Sequence, residues 1–118
     1  MNLFPQGVLA WRDGSRPRIV LVEGHARISN DVIARYAADA AREVAGVTGL
    51  VESQLHRHHG VRLSGEGEAL TVEVHLEVEW GAALQSLGQE VQRLVAETLG
   101  RMLDVHPASV DVVVAAVR

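Results

Sequence analysis

The stretch Leu70-Thr71-Val72-Glu73-Val74-His75-Leu76-Glu77-Val78-Glu79-Trp80 alternates apolar and polar residues almost without a break. A period of two turns successive side chains to opposite faces of a strand. Val72, Val74, Leu76, Val78 and Trp80 therefore share one face, and Thr71, Glu73, His75, Glu77 and Glu79 share the other. The apolar face demands a core. The polar face is compatible with water, as in an antiparallel sheet that carries helices on only one side. As a catalytic row it is poor: Glu73, His75 and Glu77 point one way, but their Cβ atoms step by roughly 6 to 7 Å. No Ser, Cys or Lys on the row supplies a nucleophile. The row reads as a solvated sheet face, with a metal or acid/base site as the alternative.

Working back from this strand, Gly60-Val61-Arg62-Leu63 reads as its hairpin partner, joined through the glycine-rich Ser64-Gly65-Glu66-Gly67-Glu68. Val47 to Val51 reads as another short strand. Before it, Ser29 is a plausible N-cap, with Asn30 and Asp31 in a first helical turn, where acceptors and negative charge are favoured. Ile33, Tyr36, Ala37, Ala40, Ala41 and Val44 then recur at helical spacing, a buried stripe small enough at its alanines to lie close on a sheet. Gly46 is the expected stop. Ile19-Val20-Leu21-Val22, continuing through Gly24 to Ile28, reads as a first strand interrupted at the glycine.

Working forward, Gly81 turns the chain into a second helix ending near Met102. Leu84, Leu87, Val91, Leu94, Val95, Thr98 and Met102 face inward; Gln85, Gln89, Gln92, Arg93 and Glu97 face out. Val110 to Val117 is the last strand, alternating at first and then apolar on both faces. The order of strand, helix, strands, helix and strand predicts an α+β fold of split βαβ type. This is a two-layer sandwich with a mostly antiparallel sheet of four to five strands and two helices on one face. The polar row of Glu73, His75, Glu77 and Glu79 is then expected away from the helices.

The chain has 118 residues and no cysteine. That length suits one domain. We divide it as a loosely ordered extension over residues 1–18 and a single domain over 19–118. Without cysteine there are no disulfides, thiolate metal sites or cysteine nucleophiles, and a reduced cytoplasmic setting is expected. With aromatics at only 3%, the core must be built from Val, Leu, Ile and Ala. The net charge is −4, with Arg scattered among acids. This offers no footprint for a nucleic-acid backbone. No segment approaches the roughly 20 apolar residues of a membrane span, and the start of the chain carries its charges after its apolar residues, the reverse of a secretory signal.

The residues Gly24-His25-Ala26-Arg27-Ile28-Ser29-Asn30-Asp31-Val32-Ile33, then Tyr36 through Val47 with the closing phrase Glu43-Val44-Ala45-Gly46-Val47, resemble the alkaline shock family of Gram-positive envelope-stress proteins. Gly60-Val61-Arg62-Leu63, the alternating strand ending in Trp80-Gly81, the helix carrying Val91-Gln92-Arg93-Leu94-Val95, and the valine strand from Val110 follow in family order. The resemblance spans about residues 20 to 117 and implies a non-enzymatic, self-associating stress-response protein. It implies a place at the cytoplasmic side of the membrane and a membrane-anchored protein partner, with no cofactor and no catalytic residues. Two departures stand out. The segment Val51 to His59 is shorter and poorer in glycine than is usual in the family, and Ala82-Ala83-Leu84-Gln85 lacks the common proline.

Two further features call for a structural answer. His56, His58 and His59 form a histidine loop that is a weak candidate for Zn²⁺ or Ni²⁺. A strand would align only His56 and His58, and no fourth ligand lies nearby in sequence, so no bound metal is expected. The alternative function is a small metal-binding protein or enzyme on the same fold, using this loop or the Glu73, His75, Glu77 face. The last strand, apolar on both faces in a sheet with one dry face, predicts a homo-oligomer with Val113 and Val117 in the contact.

Overall fold

The computed structural model describes residues 19–22, 25–52 and 58–118. The fold is α+β: a mostly antiparallel four-strand sheet carries two helices on one face. Strands β1 (Ile19–Val22) and β2 (His25–Ile28) precede helix α1 (Asn30–Arg42), and β3 (Val47–Leu50), β4 (Val61–Ser64) and β5 (Thr71–Val78) follow it. Helix α2 (Leu84–Leu103) and strand β6 (Ser109–Val117) complete the chain. The extension over residues 1–18 and His56 lie outside the described residues.

Helix α1 starts as its sequence dictates. Ser29 has extended backbone, and its hydroxyl accepts from the Val32 amide at 3.3 Å, satisfying one of the free donors of the first turn. The helix ends at Arg42, and Gly46 follows in the left-handed region at φ +96° to turn the chain into β3. Ile33, Ala37, Ala40, Ala41 and Val44 are buried as expected, and Ala34 and Ala38 with them. The alanine stripe is thus wide enough to meet both the sheet and α2, which α1 packs against.

Strand β5 is the spine of the sheet. Val72, Val74, Leu76 and Val78 are fully buried beneath the helices, and each such side chain contributes about 1.5 to 3 kcal/mol relative to exposure. Both of its edges are occupied. Strand β6 runs parallel along one, from Thr71↔Ser109 to Val78↔Val117. The antiparallel β3 and β4 share the other, β3 against Leu76 to Val78 and β4 against Thr71 to Val74. Where they meet, the Val51 amide donates to the His75 carbonyl and the His75 amide donates to the Gly60 carbonyl, both at 2.9 Å. So β3 and β4 are one edge row, interrupted between Val51 and Gly60. Helix α2 provides the crossover that parallel neighbours β5 and β6 require. Strands β1 and β2 pair with each other in a separate two-stranded ribbon, and Glu23 and Gly24 between them lie outside the described residues.

Three expectations are corrected. Leu84 and Met102 are about half exposed, and the inward line of α2 runs through Leu87, Val91, Val95, Leu99 and Leu103. Leu84 is the first residue of the helix, and Met102 falls one position off the four-residue line that ends at the buried Leu103. Trp80, in phase with the buried face of β5, is 84% exposed. The strand ends at Val78, and Gly81 at φ +87° turns the chain away before a tryptophan at position 80 can reach the core.

Candidate functional site

The face of the sheet away from the helices carries the polar row. In the central strand, Glu73, His75 and Glu77 are half-buried. The edge residues Arg62 and Ser64 lie opposite Glu73 and Thr71, and Asp111, Val113 and Ala116 lie opposite Glu73, His75 and Glu77 on the other side. Partners in register point to the same side of the sheet, so these residues form one surface.

The row is knit together by its own side chains. His75 Nε2 lies 2.6 Å from Glu73 Oε1, with only 13% of the histidine side chain exposed. The two atoms are within hydrogen-bond distance. Glu77 Oε1 accepts from the Thr48 hydroxyl at 2.9 Å and lies 3.5 Å from Arg118 Nη1. Thr48 reaches it from a register irregularity between Val47 and Gly49 in β3. The three candidates Glu73, His75 and Glu77 thus share one face, His75 in contact with Glu73 and Glu77 bonded to Thr48 of the neighbouring strand.

Val113 and Val117, the candidates on β6, are not brought together. The ladder with β5 shifts between Leu76 and Glu77, so that Val114 opposes Leu76, Ala116 opposes Glu77 and Val117 opposes Val78. Ala115 is the extra residue of a bulge. Val113 therefore lies on the polar face beside His75, while Val117 lies on the helix face with Val114. All three are exposed, at 36 to 51%. Sequence reading missed Val114 as a member of this exposed apolar set, since nothing in the composition of the strand marks a bulge, and Trp80 because β5 ends at Val78.

The histidine loop returns to the sheet through a tight turn. The Val61 amide donates to the His58 carbonyl at 2.9 Å, with His59 at φ +61° and Gly60 at φ +82° between them. Positive φ at both central residues is the type I′ arrangement, which histidine tolerates better than most residues. His58 Nδ1 and His59 Nε2 lie 3.4 and 3.5 Å from the same oxygen, Asp31 Oδ1, in the first turn of α1. Among the described residues no group of three or more His, Cys, Asp or Glu side chains is arranged to hold a metal ion.

On the solvent side of α2, Arg93 bridges Glu90 and Glu97, reaching Glu97 Oε2 at 2.7 Å. The hydrogen bond from Arg93 holds the Glu90 carboxyl below its usual range, and Glu90 in return raises Arg93. No helix among the described residues is long and apolar enough to cross a membrane.

Comparisons with known proteins agree with this geometry. The model of the alkaline shock protein family, described as having a cell envelope-related function, matches residues 21–118. The uncharacterized protein YloU of Bacillus subtilis (strain 168) is 27% identical over 107 residues, covering 80% of this chain and 89% of its own. Among solved structures, a histidine-to-alanine variant of MamM-CTD superposes with a TM-score of 0.51 at 16% identity, over 76% of this chain and 99% of that one. A nickel form of another MamM CTD variant gives 0.50 at 16% identity, over 75% and 98%. These structural likenesses are likenesses of fold.

Proposed function

The chain belongs to the alkaline shock protein family, and we propose that it is a non-enzymatic, self-associating interaction module that serves the envelope from the cytoplasmic face of the membrane. Its partners in this reading are copies of itself and a membrane-anchored protein. The observation that carries it is β6. This nine-residue strand is paired to β5 along one edge and to no described strand along the other, and it exposes Val113, Val114 and Val117. Native chains blunt such edges with lysine, proline or a cover, because unpaired amides and carbonyls beside apolar side chains recruit another strand. Between Val112 and Val117 β6 has neither charge nor proline. The exposed Trp80 adds an aromatic group of the kind that anchors protein interfaces. The envelope setting is supported by the family's description and the self-association by the strand.

Light scattering at high micromolar concentration tests the reading. The wild type is expected to exceed the mass of one chain, and Val113→Glu, which places a carboxylate on the exposed face of the strand, to return it toward a single chain. A wild type that stays monomeric removes self-association from the proposal. Recovery of a membrane-anchored protein from lysate with membranes retained tests the second partner.

A further inference from the structure

A cleft of about 730 Å³ opens at the end of the two layers, between the first turn of α1, the last turn of α2 and the short turn Gly67–Ala69 that leads into β5. Its floor is apolar, built from Ile28, Ile33, Leu70, Leu103 and Val105. Its rim is acidic. Glu66 and Glu68 come from the connection between β4 and β5, Asp104 from the end of α2, and all three are exposed. His106 stands beside Asp104, its Nε2 at 2.9 Å from Oδ1, and no arginine is among the described residues that line the cleft. The volume is far beyond the roughly 30 Å³ share of one water and falls in the range of about 300 to 1,000 Å³ typical of clefts that bury a compact ligand. An apolar floor under a carboxylate rim suits a group that is apolar in body and cationic at its ends.

The chain itself supplies such a group. Residues 1–18 carry Leu3, Phe4, Leu9 and Trp11 together with Arg12, Arg16 and Arg18 against a single acid, Asp13, in a chain whose net charge is −4. They hold its one phenylalanine and one of its two tryptophans. The β1–β2 ribbon delivers this segment to the cleft. Ile19 pairs with Ile28, and Ile28 lines the cleft. Opposed Cα atoms in an antiparallel pair lie about 4.5 to 5.5 Å apart, so the chain before Ile19 sets out from the edge of the cleft. It cannot continue as ribbon, because β2 gives way to Ser29, the cap of α1, and Pro17 has no amide to donate. The stretch from Trp11 to Ile19 spans at most roughly 26 to 29 Å when extended, ample for a cleft of this volume. We infer that the segment before β1 docks in this cleft of its own chain, with Trp11 and its apolar neighbours on the floor and Arg12 and Arg16 against Glu66, Glu68 and Asp104. Tethering at Ile19 makes the contact intramolecular and therefore independent of dilution. A basic, aromatic-bearing segment of another protein gains the cleft only by displacing it.

Tryptophan fluorescence tests the inference. Trp80 is 84% exposed, so Trp80→Phe leaves Trp11 as the single reporter at little cost to the fold. Emission and iodide quenching of Trp11 are compared with those of a free peptide of residues 1–18, at submicromolar and at high micromolar chain concentration. Trp11 is expected to emit to the blue of the peptide and to be protected from iodide at both concentrations. Glu66→Arg with Glu68→Arg should raise quenching to the level of the peptide, as should Arg12→Glu with Arg16→Glu, and the four changes together should restore protection. Glu43→Arg, exposed at the other end of α1, should leave it unchanged. The reversal at Arg12 and Arg16 alters no residue of the sheet or helices, so it reads the contact even where the rim variant fails to fold. Trp11 as quenchable in the chain as in the peptide overturns the inference. So does protection that survives the reversal at Arg12 and Arg16, or that Glu43→Arg removes equally. Protection that is lost on dilution overturns docking within one chain and places the segment in the cleft of a second copy. The measurement at low concentration does not depend on self-association through β6.

Discussion

A Cβ on Gly60 would lie 2.8 Å from the Cβ of Leu50. Gly60 also adopts φ +82°, so the return of the loop to the sheet depends twice on the absence of a side chain. Gly60→Ala is expected to cost about 1 to 2 kcal/mol for the left-handed backbone, with a further contribution from the clash against Leu50 and the Val51 carbonyl. His59→Asn, at a positive φ that asparagine accepts, is expected near neutral. Urea melts of the two variants check the pair, and equal midpoints would mean that the turn relaxes without cost.

The alanines of α1 make a second test of close packing. Ala41 is fully buried and Arg35 is exposed. Ala41→Leu is expected to destabilise by about 1 to 3 kcal/mol and Arg35→Ala by about 0.5 kcal/mol or less. Denaturant midpoints for both variants measure the difference directly.

The Arg93 bridge predicts a direction of titration. Because the hydrogen bond from Arg93 holds Glu90 below its usual range, Arg93→Ala should move the Glu90 midpoint upward, as carbon-detected NMR titration would show. A carboxyl depressed in the folded state adds stability that is fully present above its unfolded pKa and lost as pH falls through the folded one. The wild type should therefore lose more stability than Arg93→Ala on acidification through that window. The group is fully exposed and the effect is small.

The histidine loop predicts an analytical result. A structural zinc site requires four ligands, and His58 and His59 share Asp31 at long range. Protein purified without a histidine tag should carry well under one zinc per chain by elemental analysis. One tightly held metal per chain, lost when His56 and His58 are both changed to Ala, would reverse this and promote a metal-binding function.

Much of the architecture was legible before any coordinates. The alternation from Leu70 to Trp80 determined a strand with one dry face, and the structure buries every inward residue from Val72 to Val78. Ser29 as a cap and the alanine stripe of α1 were equally plain, because caps and amphipathic periods are properties of a few neighbouring residues. Phase became unreliable at element ends. Trp80 and Leu84 lie outside the first and last buried residues of their elements, where a local period carries no information about how far the opposite layer extends, and Met102 falls one position off the line that ends at the buried Leu103.

Only the tertiary structure decided how the strands meet. That β3 shares one interrupted edge of β5 with β4, that β6 lies parallel on the other, and that Ala115 bulges out depend on the pairing of β3 and β6 with β5, between residues tens of positions apart. The polar row followed the same division. Its membership was readable from the period of two, but the short contact between His75 and Glu73 and the reach of Thr48 and Arg118 to Glu77 required the neighbouring strands in place. The face of an exposed valine on β6 was undecidable from sequence for a simple physical reason. A single extra residue in a ladder reverses the side of everything beyond it, and whether a ladder admits one is settled by the strand alongside.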